Sequence, residues 1–271
     1  DRFAELTGRQ YGLVRYDGFR TQVYTQRNDD RGLPDAYVRC LLALPDGALL
    51  IGTGAGGLVR FQPGDETFHR YPTGAGGVAD RKIYALTSDG AGGVLIASER
   101  GLDRLDLARD RIEHIDTGKA AAPRDFSALR DRAGNLWLGN DRGLFVRWAG
   151  QSGFVRVEAQ GAVAQVLADQ VWALREDREG RLWVGTLELG VVYRDRDGSW
   201  HALPGFSGSQ SDGARRATVR DILETSSGAL WFATDGDGVI TYVPGEAAVR
   251  ELVHDAAMPS SLPGDAVRGL F

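Results

Sequence analysis

Five equivalent places, spaced along this 271-residue chain, put an arginine or a large aromatic residue directly after an apolar one: Val38-Arg39, Ile83-Tyr84, Val171-Trp172, Val219-Arg220 and Val267-Arg268. The next residue is small in most of them (Cys40, Ala85, Ala173, Gly269), with Asp221 the exception. Phe126-Ser127-Ala128 aligns as a sixth case, with Ser127 in the variable position. Arginine grips carboxylates and phosphates through forked N–H donors, and an aromatic face stacks on a sugar or a cation. Gathered at one opening, Arg39, Tyr84, Trp172, Arg220 and Arg268 would hold a small polar or anionic ligand. The competing reading is a set of rim side chains that pack on one another or face solvent.

A second set lies in short polar connections: Glu99-Arg100, Asn140-Asp141-Arg142, Leu187-Glu188-Leu189 and Asp235-Gly236-Asp237, with Arg9-Gln10-Tyr11 and Gly54-Ala55-Gly56 in equivalent places. Glu99, Arg100, Asp141, Arg142, Glu188 and Asp235 are its candidates. Mixed charges there either bind a polar ligand or pair with each other. Acid–base chemistry needs a group within hydrogen-bond reach of substrate. The four histidines, His69, His114, His201 and His254, all fall in or beside segments expected at an outer rim. No catalytic residue is assigned. Asp195-Arg196-Asp197-Gly198 and Asp235-Gly236-Asp237-Gly238 have oxygen ligands at alternate positions but lack the rest of a calcium loop, so no metal is expected. Gly54-Ala55-Gly56-Gly57 lacks the lysine of a phosphate loop, and no cofactor is expected. Cys40 reads as a small buried hydrophobe.

The elements that carry these residues repeat. Gly12, Gly57, Gly101, Gly143, Gly190 and Gly238 each open an apolar run, at successive spacings of 45, 44, 42, 47 and 48 residues. Before five of them stands a run such as Leu136-Trp137-Leu138-Gly139 or Leu182-Trp183-Val184-Gly185-Thr186. Each unit reads as four short strands. Strand A is Val38–Leu44, Ile83–Thr87, Phe126–Arg130, Val171–Glu176 or Val219–Glu224. A glycine-bearing turn leads to strand B, the Leu-Trp-x-Gly-Thr run, then to C and D. Four antiparallel strands in 40–50 residues, repeated, predict an all-β propeller. No segment shows the apolar period of a helical repeat. Strand B is apolar on both sides, which suits a blade packed between two neighbours. The variable row then falls on the innermost strand of each blade.

The repeats run over about 1–30 (strands B to D only), 36–73, 81–117, 125–158, 169–204, 217–253 and 265–271 (strand A only), in a single propeller domain over 1–271. That makes about six blade equivalents, with Leu6–Arg9 a degraded strand B. An excerpt of a larger, seven-bladed propeller is the alternative. With 37 Gly and 9 Pro the chain is turn-rich, and its net charge of −5 argues against nucleic-acid binding. No apolar stretch is long enough to span a membrane. One cysteine leaves no internal disulfide.

Asp131-Arg132-Ala133-Gly134-Asn135-Leu136-Trp137-Leu138-Gly139, and Asp177 through Thr186 with Gly190, resemble the two-component regulator propeller repeat. Gly32-Leu33-Pro34-Asp35 and Ser261-Leu262-Pro263-Gly264-Asp265 resemble its segment before strand A. The second repeat departs from the pattern, with Leu95 for Trp and Ser98 for Thr. The resemblance implies a periplasmic or extracytoplasmic sensing module of a bacterial signal-transduction protein. The module would be non-catalytic, with kinase or cyclase activity in other domains of the parent sensor. A small-molecule ligand, carbohydrate or anionic, is the implied partner. A protein-interaction scaffold and a streptogramin-lyase-like enzyme are the alternatives.

Overall fold

The structure is a computed structural model and describes residues 2–3, 12–16, 19–29, 31–120, 124–203, 217–246 and 249–270. It is an all-β propeller of four-stranded antiparallel blades. A three-stranded sheet leads: β1 (Arg2–Phe3), β2 (Leu13–Tyr16) and β3 (Thr21–Tyr24). Blade 1 is β4 (Val38–Ala43), β5 (Leu49–Thr53), β6 (Leu58–Gln62) and β7 (Thr67–Arg70). Blade 2 is β8 (Ile83–Ser88), β9 (Gly93–Ser98), β10 (Gly101–Asp106) and β11 (Arg111–Ile115). Blade 3 is β12 (Asp125–Arg130), β13 (Leu136–Asn140), β14 (Gly143–Arg147) and β15 (Val155–Arg156). Blade 4 is β16 (Val171–Glu176), β17 (Leu182–Thr186), β18 (Val191–Arg194) and β19 (Trp200–Ala202). Blade 5 is β20 (Val219–Glu224), β21 (Leu230–Thr234), β22 (Val239–Tyr242) and β23 (Val249–Leu252). Strand order in each blade follows the sequence. Among the described residues one α-helix, α1 (Gly161–Ala168), stands before blade 4, where the sequence pattern pointed to none.

The expectation of about six blade equivalents is corrected. Among the described residues there are five four-stranded blades and the leading three-stranded sheet. Residues 265–271 are expected as a sixth strand A, and the described part of that segment, 265–270, forms no ladder. Ala266 makes an isolated bridge to Asp235. The amides beyond it are bound elsewhere: Val267 N–H donates to the Thr234 carbonyl at 2.8 Å and Leu270 N–H to Asp221 Oδ2 at 2.9 Å. Leu6–Arg9 lies outside the described residues.

The chain divides into two compact units, Asp1–Thr117 with Ala121–Ala128, and Gly118–Ala120 with Leu129–Phe271. Within the first, Leu13 and Tyr24 pack with Leu49, Ile51, Phe61 and Phe68, so the leading sheet seals one face of blade 1. The other face of blade 1 packs on blade 2 through Leu50, Leu58, Ile83, Leu86 and Ile96. In the second unit, Trp137, Leu144 and Val146 of blade 3 meet Leu182, Val184 and Val192 of blade 4, with Val166 and Leu167 of α1 closing the cluster. Trp183 and Val191 then meet Val219, Phe232 and Ile240 of blade 5. Every residue of β5, β9, β13 and β17 is buried, as burial on both faces requires.

The repeated motif residues have specific work. Asp177 Oδ2 accepts the Trp183 indole N–H at 2.8 Å, and Asp177 Oδ1 accepts the Arg181 amide across the turn. Asp131 does the same for Trp137 and Asn135. The hydroxyls of Thr53, Ser98, Thr186 and Thr234 each donate to the carbonyl of the glycine that opens strand C, at 2.8–3.0 Å. Gly185 is small because the next blade arrives there: a Cβ on it would lie 2.6 Å from Val219 Cγ1. Gly52 faces Ile83 in the same way, at 2.7 Å. Neighbouring blades are also clasped at their A–B turns. Arg178 N–H donates to Glu224 Oε2, its Nε pairs with Glu224 Oε1 at 2.6 Å, and its Nη atoms reach the Thr225 and Ser226 carbonyls. Arg132 N–H donates to Glu176 Oε2 one blade earlier.

Candidate functional site

Strand A slips its register against strand B at one recurring place. The slip lies between Val38 and Cys40 in β4, Ile83 and Ala85 in β8, Val171 and Ala173 in β16, and Val219 and Asp221 in β20. The residues skipped are Arg39, Tyr84, Trp172 and Arg220. A bulged residue leaves the ladder, and its side chain is re-aimed away from the pleat. The small residue that follows resumes the pairing, as Cys40 does with Gly52.

In the first unit, Arg39 lies with its guanidinium carbon 4.6 Å from the Tyr84 ring centre and 5.4 Å from that of Tyr37. Tyr84 meets Phe126 edge to face at 5.0 Å, and Arg124 sits 5.6 Å over Phe126. Lys82 stands 5.6 Å over Tyr84 and pairs with Glu99 at 2.8 Å. The Glu99 hydrogen bond holds the Lys82 ammonium above its ordinary pKa. Glu99 N–H also donates to the Lys82 carbonyl, so the B–C turn is tied to strand A. Arg100 is largely exposed and reaches Asp80 at 3.3 Å. Arg39 Nε is buried with no hydrogen-bond acceptor among the described residues. Its charge is met by aromatic faces, each such contact contributing about 0.5–2 kcal/mol.

In the second unit, Arg220 lies 4.2 Å over the Trp172 ring and pairs with Asp235 at 2.6 Å. Asp235 N–H donates to the Thr218 carbonyl, and Thr218 Oγ1 donates to the Leu187 carbonyl. Asp169 Oδ2 accepts the amides of Glu188 at 2.8 Å and Leu189 at 3.2 Å. Trp172, Arg220 and Asp235 are therefore in direct contact, and Glu188 is fixed through its backbone. Arg142 N–H donates to Asn140 Oδ1, and the Arg142 carbonyl accepts Arg156 Nη2. Asp141 is half-buried in that same turn. Arg268 is half-buried just beyond Val267.

Sequence reading missed Tyr37, Lys82, Arg124 and Phe126. It placed Ser127 in the variable row, yet Phe126 is the residue that meets Tyr84. Counting six residues back from the turn-opening residue (Asp89, Asp131, Asp177) reaches Ile83, Asp125 and Val171, and so puts Phe126 level with Tyr84 and Trp172. The two groups differ in charge balance. The Tyr37–Arg39–Tyr84–Phe126 stack presents cations among aromatic faces. The Trp172–Arg220–Asp235 group is neutral overall, with an indole face beside a donor and an acceptor.

Residues 165–188 match the two component regulator propeller family. That segment runs from α1 through β16 and its turn to β17 and the loop at Glu188, and includes Trp172. The chain carries the two component regulator propeller repeat. No curated protein matches it. Among solved structures, the repeat-bearing chain is similar to the extracellular domain assigned to a hybrid two component system of B. thetaiotaomicron. Identity is 18%, the TM-score is 0.78, and the match covers 97% of this chain and 35% of that one. It is similar to PorZ, a surface component of the type-IX secretion system of Porphyromonas gingivalis, at 16% identity and TM-score 0.70, over 97% of this chain and 40% of that one. It is also similar to virginiamycin B lyase from Staphylococcus aureus, at 13% identity and TM-score 0.65, over 88% of this chain and 75% of that one. These likenesses establish the propeller fold. The chain spans about a third of the length of the first of these structures. No helix among the described residues is long and apolar enough to cross a membrane.

Proposed function

We propose that this chain is the ligand-sensing propeller part of a bacterial signal-transduction protein. It would act on the extracytoplasmic side, be non-catalytic itself, and pass its signal to other domains of that protein. The propeller repeat and the likeness to the extracellular domain assigned to a hybrid two component system support the signalling half of this reading. One observation carries the ligand half: the bulged row differs from blade to blade while the framework around it recurs. Arg39 with Tyr84, and Trp172 with Arg220 and Asp235, offer stacking faces beside forked donors, which suits a small anionic or carbohydrate ligand.

Thermal-shift screening of oligosaccharides and small organic acids against the purified chain tests it. One class should raise Tm, and Trp172→Ala or Arg39→Ala should remove that rise. No stabilisation by either class overturns the ligand reading. The lyase alternative is disfavoured by histidine placement. A histidine-to-alanine variant of virginiamycin B lyase is catalytically inactive. Here His69, His114 and His201 sit on the outermost strands β7, β11 and β19, and His254 follows β23. A scaffold role is the second reading, favoured by exposed Leu252, Val253 and Met258 at the outer side of blade 5. Capture of a protein partner that a Met258→Asp variant fails to bind would support it.

A further inference from the structure

We propose that blade 3 holds a second binding site, for a phosphate- or sulfate-type oxyanion, made by Arg130 and Arg147. The site is separate from the bulged row. In blades 4 and 5 the last residue of strand A is a glutamate, Glu176 or Glu224, and each accepts an arginine amide from the preceding turn. Blade 3 has Arg130 at this place. Arg147 ends β14 and pairs across to Leu136, the first residue of β13. Because β13 lies between β12 and β14, both arginines stand at the same end of the blade. Their backbones are two strand spacings apart, about 10 Å, a span that two guanidinium groups can bridge onto one anion.

Both side chains are half-buried, and among the described residues neither forms an ion pair or a hydrogen bond to an acceptor. Arg130 Nε is fully shielded and finds no acceptor. The Arg147 guanidinium is fixed 5.3 Å over the buried Phe154 ring. Burial, and then the Arg130 charge, hold Arg147 below the ordinary arginine pKa, so the two cations repel each other in place. The adjacent carboxylate, Asp131, is fully engaged by Asn135 and Trp137. Two half-buried like charges with no ion-pair partner among the described residues are unfavourable alone, and an oxyanion with several acceptor oxygens satisfies both.

Inorganic phosphate and sulfate, each added at constant ionic strength against chloride, test the site on the purified chain. Both should raise Tm, as a ligand of the folded state does, while acetate should do so less. Arg147→Gln should weaken phosphate binding at least about tenfold by calorimetric titration. Arg130→Glu restores the residue type of blades 4 and 5. It should raise Tm in chloride and abolish the phosphate effect, a pair of changes that misfolding does not produce. Trp172→Ala should keep the phosphate effect, which separates this site from the bulged row. An unchanged phosphate shift in Arg130→Glu, a loss of it in Trp172→Ala, or no shift in the parent chain overturns the assignment.

Discussion

The buried indole of Trp183 donates to Asp177 Oδ2 at 2.8 Å, and Asp177 is itself only 1% exposed. The same oxygen takes the Arg181 guanidinium at 2.6 Å. One carboxylate thus closes the A–B turn and fixes the largest side chain of strand B. Blade 5 has Thr225 in this place. Its hydroxyl accepts the Ala229 amide, but it supplies no carboxylate for Trp231.

Asp177→Ala should therefore lower unfolding stability by about 1–3 kcal/mol, because a buried indole N–H and a shielded guanidinium lose their acceptor. Thr225→Asp should do the reverse, adding about 1 kcal/mol by giving Trp231 the missing partner. Urea unfolding of the two variants checks both signs.

Gly185→Ala should cost about 1–3 kcal/mol by overpacking, since the new methyl would meet Val219 at 2.6 Å from a rigid β-branched side chain. Val219→Ala in the same chain should recover part of the loss. Calorimetric Tm values for the single and double variants decide it.

The Arg178–Glu224 clasp should show a coupling of about 0.5–1 kcal/mol in a double-mutant cycle. Arg178 is 47% exposed, which screens the charge part, while Glu224 is 10% exposed. Raising salt should shrink the coupling, whereas the bond from the Arg178 backbone amide to Glu224 survives substitution of the Arg178 side chain and stays outside the cycle.

Two carboxyls, the buried Asp89 and the half-buried Asp221, should give opposite pH signatures. Burial of Asp89 is outweighed by N–H donors from Ala91 and Gly93 and by Arg104, which hold it below its ordinary 3.8. Its contribution is present above that value and is lost as pH falls through the depressed folded value. Asp221 is held above 3.8 by burial, despite amides from Leu270 and Ile222 and the Arg175 charge. Its effect is unfavourable and grows as pH rises from 3.8 through the raised folded value. Asp89→Asn should thus be least harmful in acid. Asp221→Asn should gain on the parent chain as pH rises. Stability measured against pH from acid to neutral reads both.

The blades were legible in the sequence where one motif does several jobs. Leu-Trp-x-Gly-Thr encodes burial on both faces, close approach of the next blade and the clamp on strand C; β17 carries all of it and β13 and β21 most of it, so these strands were readable from the repeated motif. Strand A was legible from its apolar start, and β16 and β20 have the bounds expected. Helix α1 was not, because eight residues in a connection carry little periodicity. Phe126 was missed by aligning Ala128-Leu129-Arg130 with Ala173-Leu174-Arg175, although the structural register runs from Asp131 and Asp177. The Arg178–Glu224 clasp and the Arg39–Tyr84 stack join residues more than 40 positions apart, and no local pattern encodes such a meeting. The missing sixth ladder turns on which amides are already occupied, which only the folded chain displays.

The bulge that releases Arg39, Tyr84, Trp172 and Arg220 from the ladder also frees those positions from the pairing code of the sheet. A residue there has no cross-strand partner to match and no pleat to fit, so its identity is set by whatever it touches beyond the blade. The framework works as a socket and the bulged residue as an exchangeable insert. A library randomised at these four positions should remain largely folded, and one scaffold could then be retuned to different ligands without redesigning its strands.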